Sequence, residues 1–406
     1  MIFATSLKET SLRKRVKDYL MRTIELSVGS SICLYAIMVL VSTGSMAMAY
    51  RYDRTEKKYS ARTWLLLTVI IISIPSFFRY YVGIDYANYY RVAERLMSYH
   101  SLSGAMSLGG RLESSYALLS YFFDRLGMGP GVLIGFYGLL TQIIMISGIW
   151  SLREKVNPTV QTFVYMTYFY FRTYNMARQA LSVIIVYYGI HFLLNKKYWK
   201  FAICVLVATV FHRTSIISIL MIWYFRPARN LKRITNLILC YFVPAVMAFA
   251  YEYFMSIVSR LPVFSVYVND TLKYTTFTNE SFLSLGTLLL IVEVFLYIQH
   301  RAMYKNEDNE EFYSGLLDKA MFCQVLSFAL GMSAGNASRI VLYFSFPAMI
   351  SLSHMFNTKS YDVDGIAFRF RATNIYQIFV VLYSIAMFLR IMINNGFGQL
   401  PFRFWY

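Results

Sequence analysis

The chain has 406 residues, of which 57% are hydrophobic and 15% are charged, and its mean hydropathy is +0.47. Soluble domains carry about 45–50% apolar and about 25% charged residues, so this composition excludes a soluble globular protein. Lys and Arg number 39 against 21 acidic residues, a net charge of +18, and the excess lies in short segments between apolar blocks. That distribution is typical of the cytoplasmic loops of membrane proteins and does not indicate a nucleic-acid partner.

Apolar residues are grouped in blocks long enough to cross a bilayer as helices. The blocks cover 26–49, 63–78, 130–150, 159–173, 177–194, 201–225, 237–254, 283–300, 320–335, 339–356 and 374–393. We therefore predict an all-α fold, a single polytopic transmembrane domain over residues 1–406 with about 10 spanning helices.

Basic loops set the predicted orientation of these helices, because Lys and Arg accumulate on the cytoplasmic side. The basic segments are 51–62, 152–155, 195–200, 226–233, 301–305 and 357–371. All of them share one side only if the block 201–225 is a re-entrant hairpin, whose two half-helices meet at His212 and Arg213. Each half is too short to cross about 30 Å of hydrocarbon. Residues 1–25 are also basic, one span away from 51–62, and their orientation stays open.

The segment 79–129 lies on the outer face in this orientation and has a helical pattern of its own. Residues 88–100 and 112–127 place apolar side chains at helical spacing with charges between them. This pattern is typical of helices that lie in the plane of the membrane interface. We therefore predict an outer-face loop with two interfacial helices.

Ionisable side chains at membrane depth or at its rim are costly and usually mark functional sites. In this chain they are Arg79, Asp85, Arg91, Glu113, Arg172, Arg178, His212, Arg213, Glu293, Arg339 and Arg390. All except Glu293 fall near the outer half in the predicted orientation. Arginines that converge with carboxylates and a histidine indicate a pyrophosphate-bearing substrate, because guanidinium groups bind phosphate oxygens in a bidentate manner. Structural explanations stand beside this one: Arg91 also fits a solvated position, Arg390 a position that reaches the interface, and Glu293 a pair with a neighbouring helix.

Neither a metal site nor a cofactor is predicted. The four cysteines lie in apolar blocks without metal-ligand spacing. Phosphate-binding glycine loops, dinucleotide fingerprints and nucleophile elbows are absent from the sequence. A carboxylate or an imidazole beside the arginines is expected to deprotonate an acceptor hydroxyl. The 35 tyrosines fit interfacial belts, and they also suit a polyhydroxylated substrate because the ring stacks and the hydroxyl donates.

Residues 79–90, RYYVGIDYANYY, resemble the outer-loop motif Arg-x-x-x-Gly-Thr-Asp-Tyr-x-x-Tyr of the EpsG-like family, which includes Wzy O-antigen and exopolysaccharide polymerases. The resemblance continues in the family's order through ESSYALLSYFF (113–123), MARQALSV (176–183), KKYWKF…ATVFHRTSI (196–216) and SRIVLYF (338–344). It covers most of residues 63–345. Ile84 replaces the usual Thr but leaves Asp85 in place, and residues 1–25 have no counterpart in the family.

This resemblance implies a GT-C-like glycosyltransferase that polymerises lipid-linked oligosaccharides without a cofactor. Such enzymes take a glycan chain from undecaprenyl pyrophosphate and join it to the non-reducing end of a lipid-linked repeat unit. The reaction takes place on the periplasmic face of the bacterial inner membrane, with membrane lipid and a chain-length regulator protein as further expected partners. A single displacement implies inversion at the anomeric carbon, and arginines that stabilise the pyrophosphate imply independence of metal.

The resemblance also implies roles for individual residues. Asp85 is the first choice for the general base and His212 the second, while Glu113 orients the acceptor sugar or shares the base role. Arg79 is expected to pair with Asp85 or to hold a second phosphate. Pyrophosphate contacts are expected from Arg79, Arg178, Arg213 and Arg339. Tyr86, Tyr89 and Tyr343 fit either contacts to the sugar or ordinary packing.

Three other functions fit parts of the sequence. An O-antigen ligase uses the same donor with a lipid A–core acceptor, and the GIDY and ARQ segments favour the polymerase over it. A flippase or transporter of the same lipid-linked oligosaccharide is expected to show paired halves and charges near the midplane. A membrane acyltransferase built around His212 would need that residue near the cytosol, whereas the predicted orientation places it outside.

Overall fold

The computed structural model describes residues 23–108, 113–226, 238–250, 284–303, 311–333, 335–356 and 366–405, together with Thr235 and Tyr253. Within these residues nearly all regular structure is helical, and the exception is one short pair of strands. Residues 1–22, most of the predicted loops 226–233 and 357–371, and the end of the predicted span 237–254 lie outside the described part of the chain.

Seven helices in the described residues are long and apolar enough to cross a membrane. They are Val28–Arg54, Lys58–Phe78, Pro130–Ser151, Ala177–Leu194, Leu285–Ala302, Arg339–Phe356 and Ile375–Asn394. The prediction of an all-α polytopic membrane protein is confirmed. About 10 spans were predicted, and the difference lies in three blocks: 159–173 and 320–335 form helices that are interrupted or shorter, and 237–254 is described only in part.

The elements follow one another with short connections where both ends are described. In chain order they are β1 (Thr23–Glu25), α1 (Val28–Arg54), α2 (Lys58–Phe78), α3 (Tyr86–Met97), α4 (Leu102–Leu108), α5 (Ser114–Arg125), α6 (Pro130–Ser151), α7 (Pro158–Val164), α8 (Arg172–Asn175), α9 (Ala177–Leu194), α10 (Tyr198–Phe211), α11 (Met221–Tyr224), α12 (Val243–Phe249), α13 (Leu285–Met303), α14 (Asp318–Ser333), α15 (Gly335–Ser345), α16 (Ala348–Phe356), α17 (Ile366–Asn394) and β2 (Arg403–Trp405). Residues Arg213–Leu220 form a 3₁₀ helix, and Tyr165–Phe169, Ile238–Phe242 and Tyr313–Leu317 form π-helical turns.

The chain divides into two compact units. Unit 1 comprises residues 1–146, 166–181 and 387–406, and unit 2 comprises residues 147–165 and 182–386. The predicted outer-face segment 79–129 lies in unit 1 and contains three described helices, α3, α4 and α5, rather than the two that were predicted. The additional helix, α4, has seven residues, too few for the periodicity of its apolar positions to stand out in the sequence.

Close helix packing in unit 1 depends on two glycines of α6. A Cβ atom at Gly135 would lie 2.4 Å from the carbonyl oxygen of Phe77, and one at Gly138 would lie 2.6 Å from that of Ser76. Small residues allow helix backbones in a membrane protein to approach this closely. The end of α2, from which the motif-bearing loop begins, is therefore held directly against α6.

The predicted span 159–173 is interrupted. Asn157 caps α7 by accepting a hydrogen bond from the amide of Thr159 at 2.9 Å, and α7 then passes into the π-helical turn Tyr165–Phe169. A π-helical turn adds a residue to the helical repeat and often occurs at functional sites. The chain reaches α8 through this turn, so that α8 belongs to unit 1 while α7 belongs to unit 2.

The predicted hairpin block 201–225 is divided at His212, where the sequence placed the tip. His212 has extended backbone angles, with φ −153° and ψ 114°, between α10 and the 3₁₀ helix. The hydroxyls of Thr209 and Ser215 lie 3.1 Å apart across this break and connect the two short helices. The structure thus has a helix break at His212, and the re-entrant hairpin stays a prediction.

Candidate functional site

Asp85 marks the start of α3, the first helix after the loop 79–85. Its carbonyl oxygen accepts hydrogen bonds from the amides of Asn88 and Tyr89, each at 3.1 Å, and these bonds begin the helix. The Asp85 side chain is half-buried. Because the N-terminus of a helix carries partial positive charge, this position favours an ionised carboxylate.

Arg79 is buried at the other end of the same loop, with 1% of its surface exposed. Its guanidinium carbon lies 4.5 Å from the ring centre of Tyr174 and 5.9 Å from that of Tyr86. Burial lowers the pKa of Arg79 from its ordinary value, and the surrounding tyrosines oppose that shift. The Nε and Nη1 atoms have no hydrogen-bond partner among the described residues. Aromatic faces therefore stabilise this guanidinium by cation–π contact.

Tyr86 and Tyr89, both expected to line a sugar path, occupy different environments. Tyr86 is 1% exposed and packs on Arg79, and burial raises the pKa of its hydroxyl well above the ordinary value. Tyr89 is half-buried, and its ring lies 5.6 Å from the guanidinium carbon of Arg178. Tyr89 is thus the one of these two whose ring keeps surface available to a ligand.

Glu113 and Arg178 form an ion pair within unit 1. The Arg178 Nη1 donates to Glu113 Oε2, and the two side chains are 18% and 3% exposed respectively. The guanidinium also lies 5.2 Å from the ring centre of Tyr116, whose hydroxyl donates to the carbonyl of Tyr89 at 2.9 Å. Arg178 is the second residue of α9, where the helix dipole disfavours a cation, and the carboxylate of Glu113 compensates for that cost.

His212 and Arg213 lie at the break between α10 and the 3₁₀ helix in unit 2, and both are half-buried. The amide of His212 donates to Ala208 at 2.9 Å, and its carbonyl accepts from the Ser215 hydroxyl at 2.9 Å. These bonds fix the backbone of the break. They leave the orientation of the imidazole to contacts of the side chain itself.

Tyr343, in α15, contacts both this break and α9 within unit 2. Its hydroxyl lies 3.2 Å from that of Ser182 and 3.4 Å from that of Thr214, and the residue is 1% exposed. Arg339 lies four residues earlier on α15, one turn away and on the same helix face, and it is exposed. Tyr343 is a packed and hydrogen-bonded residue, whereas Arg339 is accessible.

The predicted site residues thus fall into two groups, each within one unit. Unit 1 contains Arg79, Asp85, Tyr86, Tyr89, Glu113 and Arg178, and unit 2 contains His212, Arg213, Arg339 and Tyr343. In unit 1, Arg178 contacts both Glu113 and Tyr89, and Tyr89 lies one turn of α3 after Asp85.

Residues that the sequence analysis did not single out also take part. In unit 1 these are Tyr116, Tyr174 and Asn175, and in unit 2 they are Ser182 and Thr214. Asn175 directly precedes the segment 176–183, and Ser182 and Thr214 lie inside segments that resemble the family. Their position in or beside those segments could therefore have marked them as site residues. Small polar residues are common throughout the chain, so their residue type alone does not single them out.

The structure also bears on the predictions for Glu293 and for a metal site. Glu293 accepts hydrogen bonds from Gln324 at 2.9 Å and Tyr383 at 2.5 Å, so it pairs with neighbouring helices as predicted. Among the described residues, no group of three or more His, Cys, Asp or Glu side chains is placed to hold a metal ion. Independence of metal stays a prediction.

Comparison with known proteins identifies the family. The model of the EpsG family matches residues 62–404, which is most of the chain and includes every predicted site residue. The curated proteins and the solved structures contain no match to the chain. On the extent of the family match, the chain belongs to the EpsG family, whose members are Wzy-like polymerases.

Proposed function

We propose that this polysaccharide polymerase-type membrane protein transfers a glycan chain from undecaprenyl pyrophosphate to the non-reducing end of a lipid-linked repeat unit. The observation that carries the proposal is the unit 1 cluster within the family match: Asp85 begins α3, and Tyr89, one turn later, contacts Arg178. Such a transfer needs a base for the acceptor hydroxyl and positive charge for the departing pyrophosphate. The carboxylate of Asp85 and the guanidinium of Arg178 are groups of these two kinds.

Asp85 is the general base in this proposal. A base must be ionised and must reach the acceptor hydroxyl, and Asp85 is half-buried at a helix N-terminus that favours the charged form. Glu113 is 3% exposed and paired with Arg178, which makes it better suited to holding that guanidinium than to accepting a proton. His212 is half-buried and is the alternative base.

The reaction is a single displacement. The acceptor oxygen attacks the anomeric carbon of the donor, its proton passes to the carboxylate of Asp85, and the bond to undecaprenyl pyrophosphate breaks with its electron pair on the leaving phosphate. Inversion at the anomeric carbon follows from one displacement.

Arginines are proposed to stabilise the phosphate charge that develops. In unit 1 this role falls to Arg178, whose Nε has no hydrogen-bond partner among the described residues. In unit 2 it falls to Arg213, which is half-buried, and to Arg339, which is exposed. Because guanidinium groups supply the positive charge, we propose that polymerisation needs no added metal. We place the site on the periplasmic face of the bacterial inner membrane, with a chain-length regulator as a partner.

The direct test is polymerisation by the purified protein in nanodiscs. The substrate is a repeat unit linked to undecaprenyl pyrophosphate, and the products are separated on a gel with and without EDTA. We expect a ladder of lengthening glycans that is unchanged by EDTA and is strongly reduced in Arg339→Ala, while Arg226→Ala, at another exposed arginine of unit 2, matches the wild type.

Four outcomes would contradict parts of this proposal. A folded wild type that binds the lipid but forms no ladder would overturn polymerisation. Transfer of one glycan to a lipid A–core acceptor under the same conditions would indicate a ligase, and movement of intact substrate between leaflets would indicate a flippase. A ladder that disappears with EDTA and returns with a divalent cation would overturn metal independence.

A further inference from the structure

The loop between Arg79 and Asp85 has an unusual backbone. Tyr81 has φ +51° and Gly83 has φ +108°, both in the left-handed region that side chains disfavour. At Gly83 a Cβ atom would lie 2.8 Å from the carbonyl oxygen of Tyr174, so glycine is required for space as well as for conformation. A loop with such angles needs contacts outside itself to persist.

Asn175, the last residue of α8, provides one of those contacts. Its side-chain Oδ1 accepts a hydrogen bond from the amide of Ile84 at 2.8 Å. This bond fixes the residue directly before Asp85.

The C-terminal segment Phe397–Arg403 holds the same loop from another direction. The amides of Tyr80 and Gly83 donate to the carbonyl oxygens of Arg403 at 2.8 Å and Gly398 at 2.9 Å, and the Ile84 amide also lies 3.2 Å from the carbonyl of Phe397. These contacts run along the whole loop, from its first residues to the one that precedes Asp85.

The C-terminal segment is itself fastened to the start of unit 1. The amide of Leu26 donates to the carbonyl of Phe402 at 2.9 Å, the amide of Phe402 donates to the Ser31 hydroxyl at 2.9 Å, and the Tyr35 hydroxyl donates to Gln399 at 3.0 Å. β1 and β2 add an antiparallel pair of three residues. The segment is thus a fixed support for the loop and has the contacts of a structured element.

We propose that Asn175 and the segment Phe397–Arg403 position Asp85 for catalysis. Asn175 is the positioning side chain, because its Oδ1 accepts from the amide directly before Asp85, whereas the C-terminal segment bonds to the loop through its backbone. This inference rests on the proposed function, because it assigns Asp85 as the base. Displacement of a catalytic group by about 1 Å costs on the order of 100-fold in rate, so the loss of one contact that fixes the loop has a measurable effect.

The experiment compares Asn175→Ala with Asn175→Asp, which keeps an oxygen acceptor for the Ile84 amide. The control is Asn195→Ala, which also removes a side-chain amide bonded to the backbone, although here the Asn195 Nδ2 donates to the carbonyl of His191 at 2.7 Å. Polymerisation rates give kcat and KM, and hydrogen exchange measured by mass spectrometry gives the protection of the amides of residues 83 and 84.

We expect Asn175→Ala to lower kcat by about 10- to 100-fold with little change in KM, and to accelerate exchange at residues 83 and 84. Asn175→Asp is expected to retain most of kcat and the protection, and Asn195→Ala to match the wild type in both. In an Asp85→Asn background, Asn175→Ala is expected to cause no further loss, because the group that it positions is already absent.

Unchanged kcat and unchanged exchange in Asn175→Ala would overturn the inference. A loss in Asn175→Ala that is equally large in the Asp85→Asn background would also overturn it, because the effect would then be general to the fold. If the wild type makes no polymer, the proposed function fails by itself, and the positioning of the loop is judged by the exchange at residues 83 and 84. Unaltered exchange in Asn175→Ala would then overturn it.

Discussion

The Asp85 region of unit 1 and the His212 region of unit 2 contain similar functional groups that are held in different ways. Asp85 follows a loop with left-handed residues, bonded along its length to the C-terminal segment, and the nearby Arg178 is tied by charge to Glu113. His212 lies at a helix break fixed by neutral hydroxyl groups.

This difference indicates which region is more rigidly built. Hydrogen bonds between neutral groups contribute about 0.5–1.5 kcal/mol each, whereas breaking a buried ion pair by removing one partner costs about 3–5 kcal/mol. The Asp85 region also stores backbone strain, which persists only where neighbouring structure determines the conformation. We therefore expect unit 1 to supply the base, and the hydroxyl contacts around His212 in unit 2 to tolerate change better.

The largest expected effect separates the two candidate bases. Asp85→Asn is expected to lower the rate of polymerisation by about 100- to 10,000-fold, the range for loss of a general base, and His212→Ala by a smaller factor. Asp124→Asn, at a carboxylate in α5 of the same segment 79–129, serves as the matched control and is expected to keep the wild-type rate. A greater loss in His212→Ala than in Asp85→Asn would reverse the comparison between the two regions.

A second prediction concerns the ion pair of unit 1. Glu113→Gln leaves the charge of Arg178 without its carboxylate and is expected to lower stability by about 3–5 kcal/mol. Glu25→Gln breaks the exposed pair with Arg403 and is expected to change stability by less than about 1 kcal/mol. Thermal unfolding in detergent measures both. Equal losses of stability in the two variants would show that the buried pair stabilises the protein no more than the exposed pair does.

A third prediction addresses the strained loop. Gly83→Ala introduces a Cβ 2.8 Å from the carbonyl of Tyr174 and keeps a left-handed φ, so we expect a loss of about 1–3 kcal/mol in stability together with reduced activity. Gly29→Ala, in α1, is the matched control, because a Cβ there meets nothing within 4 Å. A Gly83→Ala protein with wild-type activity and melting temperature would show that the loop is not held as described.

The smallest expected effect lies in unit 2. Tyr343→Phe removes the hydroxyl that lies beside those of Ser182 and Thr214, and we expect a loss of about 1 kcal/mol with modest change in activity. Tyr59→Phe, at a tyrosine that is 86% exposed, is expected to have no effect. A Tyr343→Phe variant as inactive as Asp85→Asn would show that activity depends on unit 2 as strongly as on unit 1.

Hydropathy and loop charge were sufficient to predict the class of fold and the division at His212. Interrupted helices were harder to predict, because the π-helical turn at Tyr165–Phe169 has apolar residues that fit an unbroken span equally well. The extra helix α4 was missed because seven residues give too little periodicity.

The site was predictable in its residue types and only partly in its pairings. The energetic cost of a charge at membrane depth indicated Glu113 and Arg178 as candidates. Their ion pair joins residues 65 positions apart, so it could be identified only in the folded structure. The contact between Asn175 and Ile84 spans 91 positions, and a lone polar residue beside an apolar block gives no local sign of its partner. For Tyr86 the sequence left a sugar contact and ordinary packing open, and the structure buries its side chain on Arg79.

The most direct test of the central claim is a pulse–chase measurement of transfer. Purified protein is given a labelled lipid-linked repeat unit and then an excess of unlabelled unit, and the position of the label and the undecaprenyl pyrophosphate released are both measured. The account predicts label at the non-reducing end of the product and one lipid pyrophosphate released for each glycosidic bond formed. Label at the end next to the lipid, or bonds formed without release of the lipid pyrophosphate, would contradict it.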